Sequence, residues 1–231
     1  MPERGGAATT VLSGRTVLIA GATSASGLAA ARALAAAGAR VVAAGRSAEK
    51  LAPLAELGAR TEAVDLADEA AVFALADRLR ADGVRVHGVL HLVGGWRGGG
   101  GLAGQTEADY RVLENSFTAL RHVTRAFDAE LREAETGRLA MISSTAVARP
   151  LAGGANYAAV KAASEAWMRA VAQGYAKDAR DRGARLRAAA IVFRVKTLAG
   201  LEERVADAYI DLWSADAASV NDTVVEVLEK E

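Results

Sequence analysis

Short runs of β-branched and other apolar residues alternate with longer segments of helical period, and the alternation starts at Thr16. Strands are predicted at Thr16–Ala20, Arg40–Ala44, Arg60–Asp65, Val86–Val93, Arg138–Ser143, Leu186–Phe193 and Thr223–Val227. Between them the Ala/Leu/Arg-rich segments predict helices at Leu28–Ala37, Ala48–Leu57, Asp68–Ala81, Thr106–Ala134, Asn156–Arg182 and Leu201–Ala215. Repeated βαβ units imply an α/β fold: a mostly parallel, doubly wound seven-stranded sheet with helices on both faces. Gly38, Gly58, Gly83 and Gly183 each follow a helical run and precede a strand, the place for a left-handed helix cap. A single domain is expected over residues 15–231, with a flexible, frayed tail at 1–14. The glycine-rich piece Gly94–Gly104 could be an interdomain linker, but the alternation resumes unchanged after it, so it is read as a mobile loop within the domain.

Composition narrows the class. Apolar residues make up 52% and charged residues 24%, the balance of a chain that buries a sizeable core. The 28 basic and 28 acidic side chains cancel, so no global field draws the protein to nucleic acid or an anionic membrane, and neither is expected as a partner. A charged ligand has to be held by a local site. There is no cysteine, which excludes disulfides and thiolate chemistry and fits a reducing compartment; the cytoplasm is the expected location. No segment has the apolar core of a signal peptide or the roughly twenty apolar residues of a membrane span.

The first predicted strand runs into Gly21-Ala22-Thr23-Ser24-Ala25-Ser26-Gly27, and an alanine-rich helix follows. Backbone N–H groups at a helix N-terminus favour an anion, and glycines let a pyrophosphate approach without meeting a Cβ, so Gly21, Thr23, Ser24, Ser26 and Gly27 are candidate cofactor contacts. Two glycines in a βα turn can also be nothing more than tight-turn residues. At the end of the second strand NAD-binding folds carry a carboxylate for the ribose 2′-hydroxyl; here Arg46 stands in that region, and a guanidinium suits a 2′-phosphate. NADP(H) is therefore favoured over NAD(H). After the third strand, Asp65 and Leu66 are placed to contact an adenine, or Asp65 caps the next helix.

Tyr157 and Lys161 lie four residues apart at the start of a long helix, so both project from one face. A phenol titrates near pKa 10, and a fixed positive charge beside it favours the phenolate, which adapts it to proton transfer. Such a pair is common on helices and acquires meaning from its surroundings. Ser144 ends the fifth predicted strand, at the sheet edge where ligands bind, and Asn115 lies inside the preceding helix, where asparagine has poor propensity.

These residues together resemble the short-chain dehydrogenase/reductase family, and the resemblance runs from about Ser13 nearly to the C-terminus. It implies a Rossmann fold and an oxidoreductase acting on a small carbonyl or alcohol substrate with NADP(H). The family's Asn–Ser–Tyr–Lys tetrad corresponds to Asn115, Ser144, Tyr157 and Lys161. By resemblance, the tyrosine exchanges the proton at the substrate oxygen, the serine holds that oxygen and the lysine contacts the nicotinamide ribose and acidifies the phenol. The asparagine organises a water chain, and the chain assembles as a homodimer or homotetramer through its two long helices.

Three motifs depart from the family pattern. The Thr-Gly-x-x-x-Gly-x-Gly loop stands here as Ala20-Gly21 through Ala25 to Gly27, and the methyl at 25 is expected to loosen or shift pyrophosphate binding. The Asn-Asn-Ala-Gly segment is His91-Leu92-Val93-Gly94, keeping Gly94 as a cofactor contact. The Pro-Gly pair is Phe193-Arg194, with Thr197 retained near the family's cofactor-contacting threonine. These losses motivate an alternative: a nucleotide-binding scaffold or redox-sensing regulator that no longer turns over. The short segment after Thr197 leaves the substrate pocket open or closed by the Gly94–Gly104 loop, with Trp96 a candidate lining residue. His87, His91 and His122 lack metal-ligand spacing and are read as structural; no metal is expected.

Overall fold

A computed structural model of the chain describes residues 10–228. Seven strands form one sheet: β1 (Thr16–Ala20), β2 (Arg40–Gly45), β3 (Arg60–Ala63), β4 (Gly88–His91), β5 (Gly137–Ser144), β6 (Ala188–Val195) and β7 (Thr223–Glu226). Their order is β3-β2-β1-β4-β5-β6-β7, and every neighbouring pair is parallel, so the sheet is wholly rather than mostly parallel. The strand order reverses between β1 and β4, and in open α/β sheets a ligand crevice opens at the carboxyl ends of the strands flanking such a reversal.

The helices are α1 (Ala25–Ala36), α2 (Ala48–Glu56), α3 (Glu69–Ala81), α4 (Glu107–Glu133), α5 (Ala155–Asp181), α6 (Glu202–Asp211) and the short α7 (Ala217–Val220). Val17 and Ile19 of β1 pack on one face with α1, α2 and α6, while Leu18 and Ala20 pack on the other with α3, α4 and α5. Both faces of the central strands are thus dry, which is why they read as continuous apolar runs without alternation. The left-handed caps form as expected, with φ of +89° at Gly38 and +61° at Gly183.

Several boundaries differ from expectation. β3 and β4 are shorter than expected, spanning Arg60–Ala63 and Gly88–His91, although the Val64 N–H still donates to the Gly45 carbonyl at 2.9 Å. The helix expected over Leu201–Ala215 is shorter, ending at Asp211 in α6; a turn follows, and the separate short α7 begins beyond the expected range at Ala217. Residues 10–14 are not a frayed tail: Leu12 is fully buried in the core, and its N–H donates to the Ala37 carbonyl at 3.0 Å. The rest of the expected tail, residues 1–9, lies outside the described residues.

The Gly94–Gly104 segment is fastened rather than free. The Gly99 N–H donates to the Gly153 carbonyl at 2.7 Å, joining the loop to the segment between β5 and α5. The Gln105 amide nitrogen lies 2.9 Å from the same Gly153 carbonyl and 3.2 and 3.3 Å from those of Gly99 and Gly101. Its Oε1 accepts from the Asn156 N–H at 3.1 Å. That last bond matters because Gly154, the residue that caps α5, offers no side-chain acceptor, so Gln105 supplies one for an open N–H group of the helix from across the loop. Gly98 packs where a Cβ would collide with the Gly153 carbonyl, so the two backbones meet without side chains between them.

Gln105→Ala removes these bonds while leaving partly hydrated carbonyls behind. It is expected to lower unfolding free energy by about 1–2 kcal/mol, read from urea titration. Amide exchange should quicken at Gly99 and Asn156 and stay unchanged in β1 and β5; uniform quickening across the sheet would contradict a local latch.

Candidate active site

Gly21 ends the first strand with φ +88°, and a Cβ there would lie 2.7 Å from the Val93 backbone nitrogen. The β1–α1 turn therefore rests directly on the backbone that leaves β4. Ser24 caps α1, its Oγ accepting from the Gly27 N–H at 3.2 Å. A Cβ at Gly27 would collide with the Ala22 carbonyl, so the first turn of the helix folds tightly under the loop. Ala25, where the family has glycine, is the exposed first residue of α1.

Two cavities open along this edge. One, of about 540 Å³, is lined among others by Gly21, Thr23, Ser24, Arg46, Asp65 and Leu66. The second, of about 1140 Å³, is lined by Ser24, Ser26, Ser144, Tyr157, Lys161 and Thr197 together with residues discussed below. Both share Ser24, Leu92, Val93, Gly94 and Gly95, so they are two lobes of one groove meeting over the end of β4.

Of the fourteen catalytic and cofactor candidates, thirteen line one lobe or the other and Gly27 lines neither; Trp96 lines the larger lobe. Gly27 is buried behind the turn, where its N–H is already taken by Ser24, and its part is to permit the turn to close. Asp65 is not the cap of α3; that is Asp68, which accepts from the Ala71 N–H at 3.1 Å. Asp65 is exposed and turns one oxygen to the Ala67 N–H at 3.0 Å. Arg46 is exposed and makes no ion pair or hydrogen bond among the described residues.

Ser144, Tyr157 and Lys161 share the larger lobe. Asn115 is exposed and lines the smaller lobe, with Arg46 and Asp65, beside the Gly94–Gly95 stretch that both lobes share. The reason lies in α4, whose groove-facing residues Val112, Leu113, Asn115 and Ser116 pass beside Gly94 and Gly95 on the smaller-lobe side. His91, at the end of β4, fixes that passage through its Nε2, 3.3 Å from the Ser116 carbonyl.

Burial sets the electrostatics of the inner wall of the larger lobe, around Lys161. The Lys161 ammonium is buried and donates to the Ile142 carbonyl at 2.8 Å, with Gly94 beside it: a Cβ there would sit 3.4 Å from Nζ. Burial lowers its pKa to about 8, with the Glu165 carboxylate opposing the shift. His91 is pushed down to about 3 by burial and by the Lys161 charge, so it is neutral at physiological pH. Tyr157 is half-buried with its ring centroid 5.9 Å from Lys161 Nζ. The expected acidification by the lysine is not what this arrangement produces. Burial raises the phenol pKa, and only a hydrogen bond with Ser144 works the other way. Removing water from around the phenol costs its anion more than an ammonium turned to a carbonyl returns.

Under Lys161 lies an ionic cluster that the sequence reading missed. Glu165, one turn further along α5, is fully buried and accepts from Arg194 Nε at 2.9 Å, Arg194 Nη2 at 2.6 Å and Ser143 Oγ at 2.6 Å. Burial works to raise its pKa, but the bonds from Arg194 and Ser143 outweigh that and hold it below the ordinary carboxylate value. Arg194 stands where the family pattern has Pro-Gly; that departure was the available signal, and the partner on α5 was not. Gln105 and Arg149 were missed too. The described residues contain no group of three or more metal-ligating side chains and no helix long and apolar enough to cross a membrane.

Comparison with solved structures gives the same architecture. A short-chain type dehydrogenase/reductase from Mycobacterium ulcerans matches with a TM-score of 0.81 and 23% identity, over 94% of this chain and 89% of that one. A Shigella flexneri protein complexed with NADP gives a TM-score of 0.82 at 21% identity, over 94% and 98%. An Escherichia coli protein complexed with NADPH gives 0.81 at 22%, again over 94% and 98%. No curated protein sequence matches significantly. The short chain dehydrogenase family model matches residues 15–180, the stretch that holds the glycine turn, Ser144, Tyr157 and Lys161, and the chain belongs to that family of oxidoreductases.

Proposed function

We propose that the protein is an NADP(H)-dependent reductase of small carbonyl compounds, centred on Ser144, Tyr157 and Lys161. One observation carries the reading: these three side chains and Thr197 line a cavity that continues, over the Gly94–Gly95 sill, into a groove ending at Arg46 and Asp65. The groove fits a dinucleotide on its own terms. Gly21 leaves a cradle that a Cβ would fill, the α1 N-terminus faces it, and Arg46 stands unpaired where a 2′-phosphate would be met. Gly21, Thr23, Ser24 and Ser26 would hold the pyrophosphate, Asp65 and Leu66 the adenine, and Lys161 and Thr197 the nicotinamide half. Structural neighbours complexed with NADP and NADPH support the same choice. NADPH, when bound, supplies the hydride that reduces the carbonyl carbon.

The chain's own residues handle the oxygen. Ser144 donates a hydrogen bond to it, and Tyr157 passes its phenolic proton to it as the carbonyl becomes an alcohol. A phenol whose pKa is raised is a proton donor at neutral pH, which favours the reducing direction. The Lys161 charge stabilises the phenolate once the proton has left. The raised resting pKa and the charge-assisted transfer are compatible, because the ammonium acts on the anion that forms and not on the resting acid. Asn115, on the adjoining lobe, is the residue proposed to organise the water chain for proton resupply.

Tyr157→Phe is expected to cut kcat for ketone or aldehyde reduction by at least about 100-fold, while the NADPH dissociation constant from fluorescence titration changes less than about twofold. A variant as active as the parent, or a parent that binds NADPH yet reduces no carbonyl, leaves the scaffold reading standing. Replacing Arg46 by Asp removes a charge-assisted contact and adds a repulsion, so NADPH affinity should fall by about tenfold or more with NADH affinity nearly constant. Equal losses for both cofactors would reject the assignment. For pH, Lys161 is charged below its pKa of about 8 and neutral above it, so kcat/KM for reduction should be flat from the acid side and fall above about pH 8. Lys161→Arg keeps the charge and should remove that limb; an unchanged limb would assign it to another group.

A further inference from the structure

The larger lobe, of about 1140 Å³, has about twice the volume of the smaller, of about 540 Å³, and its outer part comes from two loops. Trp96 and Gly99 belong to the glycine loop; Ala148, Arg149, Leu151 and Gly153 belong to the segment between β5 and α5. The elements assigned above to the cofactor are the β1–α1 turn and the ends of β2, β3, β4 and β6, so this outer part is the substrate's side. Its two walls are held at a set spacing by the Gly99–Gly153 hydrogen bond and the Gln105 latch. Large apolar side chains stand on both: Trp96 is 59% exposed and Leu151 78% exposed. An exposed tryptophan and leucine on walls already fastened together form an apolar slot awaiting a flat or ring-shaped occupant.

Charge decides the rest. None of the residues lining the lobe is an aspartate or glutamate, whereas Arg149, Lys161 and Lys196 are cations, in a chain whose 28 basic and 28 acidic residues balance. Lys161 is committed to the Ile142 carbonyl, and Lys196 adjoins Thr197 on the cofactor side. Arg149 is exposed at the substrate side and makes no ion pair or hydrogen bond among the described residues. A guanidinium offers paired donors matched to a carboxylate.

Resting on the reductase reading above, we propose that the substrate is a ring-bearing aldehyde or ketone carrying a carboxylate, with its ring against Trp96 and Leu151 and its carboxylate on Arg149. The reaction balances as in the general case: the carbonyl carbon gains a hydride from NADPH, its oxygen gains the Tyr157 proton, and the carboxylate is a handle that takes no part in bond making.

The test compares 4-formylbenzoate with its methyl ester, followed by NADPH oxidation with wild-type enzyme, Arg149→Gln, Arg149→Lys and Lys196→Gln. Wild-type should prefer the acid by about fivefold to tenfold in kcat/KM, as one charge-assisted contact at an exposed position allows. Arg149→Gln should bring the ratio near one, Arg149→Lys should keep part of it, and Lys196→Gln should keep it whole. An ester reduced as well as the acid, or a preference that survives Arg149→Gln, overturns the proposal while the reductase reading stands. Turnover of neither aldehyde counts against the reductase reading. In that case calorimetry of 4-hydroxymethylbenzoate with NADP-loaded protein decides the anion site by itself: equal affinity of wild-type and Arg149→Gln overturns it, and weaker binding by the variant upholds it.

Discussion

The contact on which the site depends is between two stretches of backbone. At Gly21 the chain leaves β1 so close to the exit of β4 that no side chain fits; the Val93 nitrogen would lie 2.7 Å from a Cβ. Six residues later Gly27 repeats the demand within the turn itself, against the Ala22 carbonyl. With both glycines in place, the N-terminus of α1 is pulled down onto the sheet edge where the strand order reverses, and the two lobes of the groove meet over Gly94 and Gly95. A larger residue at either position would lift the helix, and the crevice would lose its floor before any catalytic group was touched. Ala25 between them is exposed on the first turn, so the fold tolerates a methyl where the family pattern has a third glycine.

Above that floor the chemistry is governed by the exclusion of water. Lys161, His91 and Tyr157 each shift toward the uncharged form, and burial is the largest cause in all three. For His91 and Tyr157 the neutral form suits the proposed task, while Lys161, with its pKa at about 8, stays charged at neutral pH. A neutral imidazole beside the lysine adds no second charge, and a protonated phenol is ready to give its proton away. Negative charge then appears only as the reaction proceeds, beside a preset ammonium whose surroundings are largely buried.

Much of this was legible in the sequence. Sheet, helix order and parallel topology follow from the alternation of apolar runs and helical periods, because both faces of the central strands are buried and leave no other pattern. The glycine turn, Arg46, Ser144, Tyr157 and Lys161 were legible because their chemistry is local to one strand end or one helix turn. What was not legible depends on packing between distant segments. Leu12 sits in a polar-looking leader and is buried only because it meets the end of α1. Gln105 bonds to glycine carbonyls, groups every residue owns, so no side-chain pattern announces it. The lobe that Asn115 faces depends on how α4 crosses the end of β4. The acidity of Tyr157 was misjudged because i, i+4 spacing reports a neighbour and says nothing about lost solvent.

The Ser143–Glu165–Arg194 cluster ties β5, α5 and β6 together beneath the reactive lysine with three hydrogen bonds to a single carboxylate. Neither ion can be lost alone without leaving an unpaired charge close to the core, so the two positions form one heritable unit. Drift at the end of β6 is therefore linked to drift on α5. Lineages descending from this chain should keep arginine with glutamate or exchange both together, and a descendant that regained proline and glycine at the strand end would be free to fill the α5 position with an apolar residue.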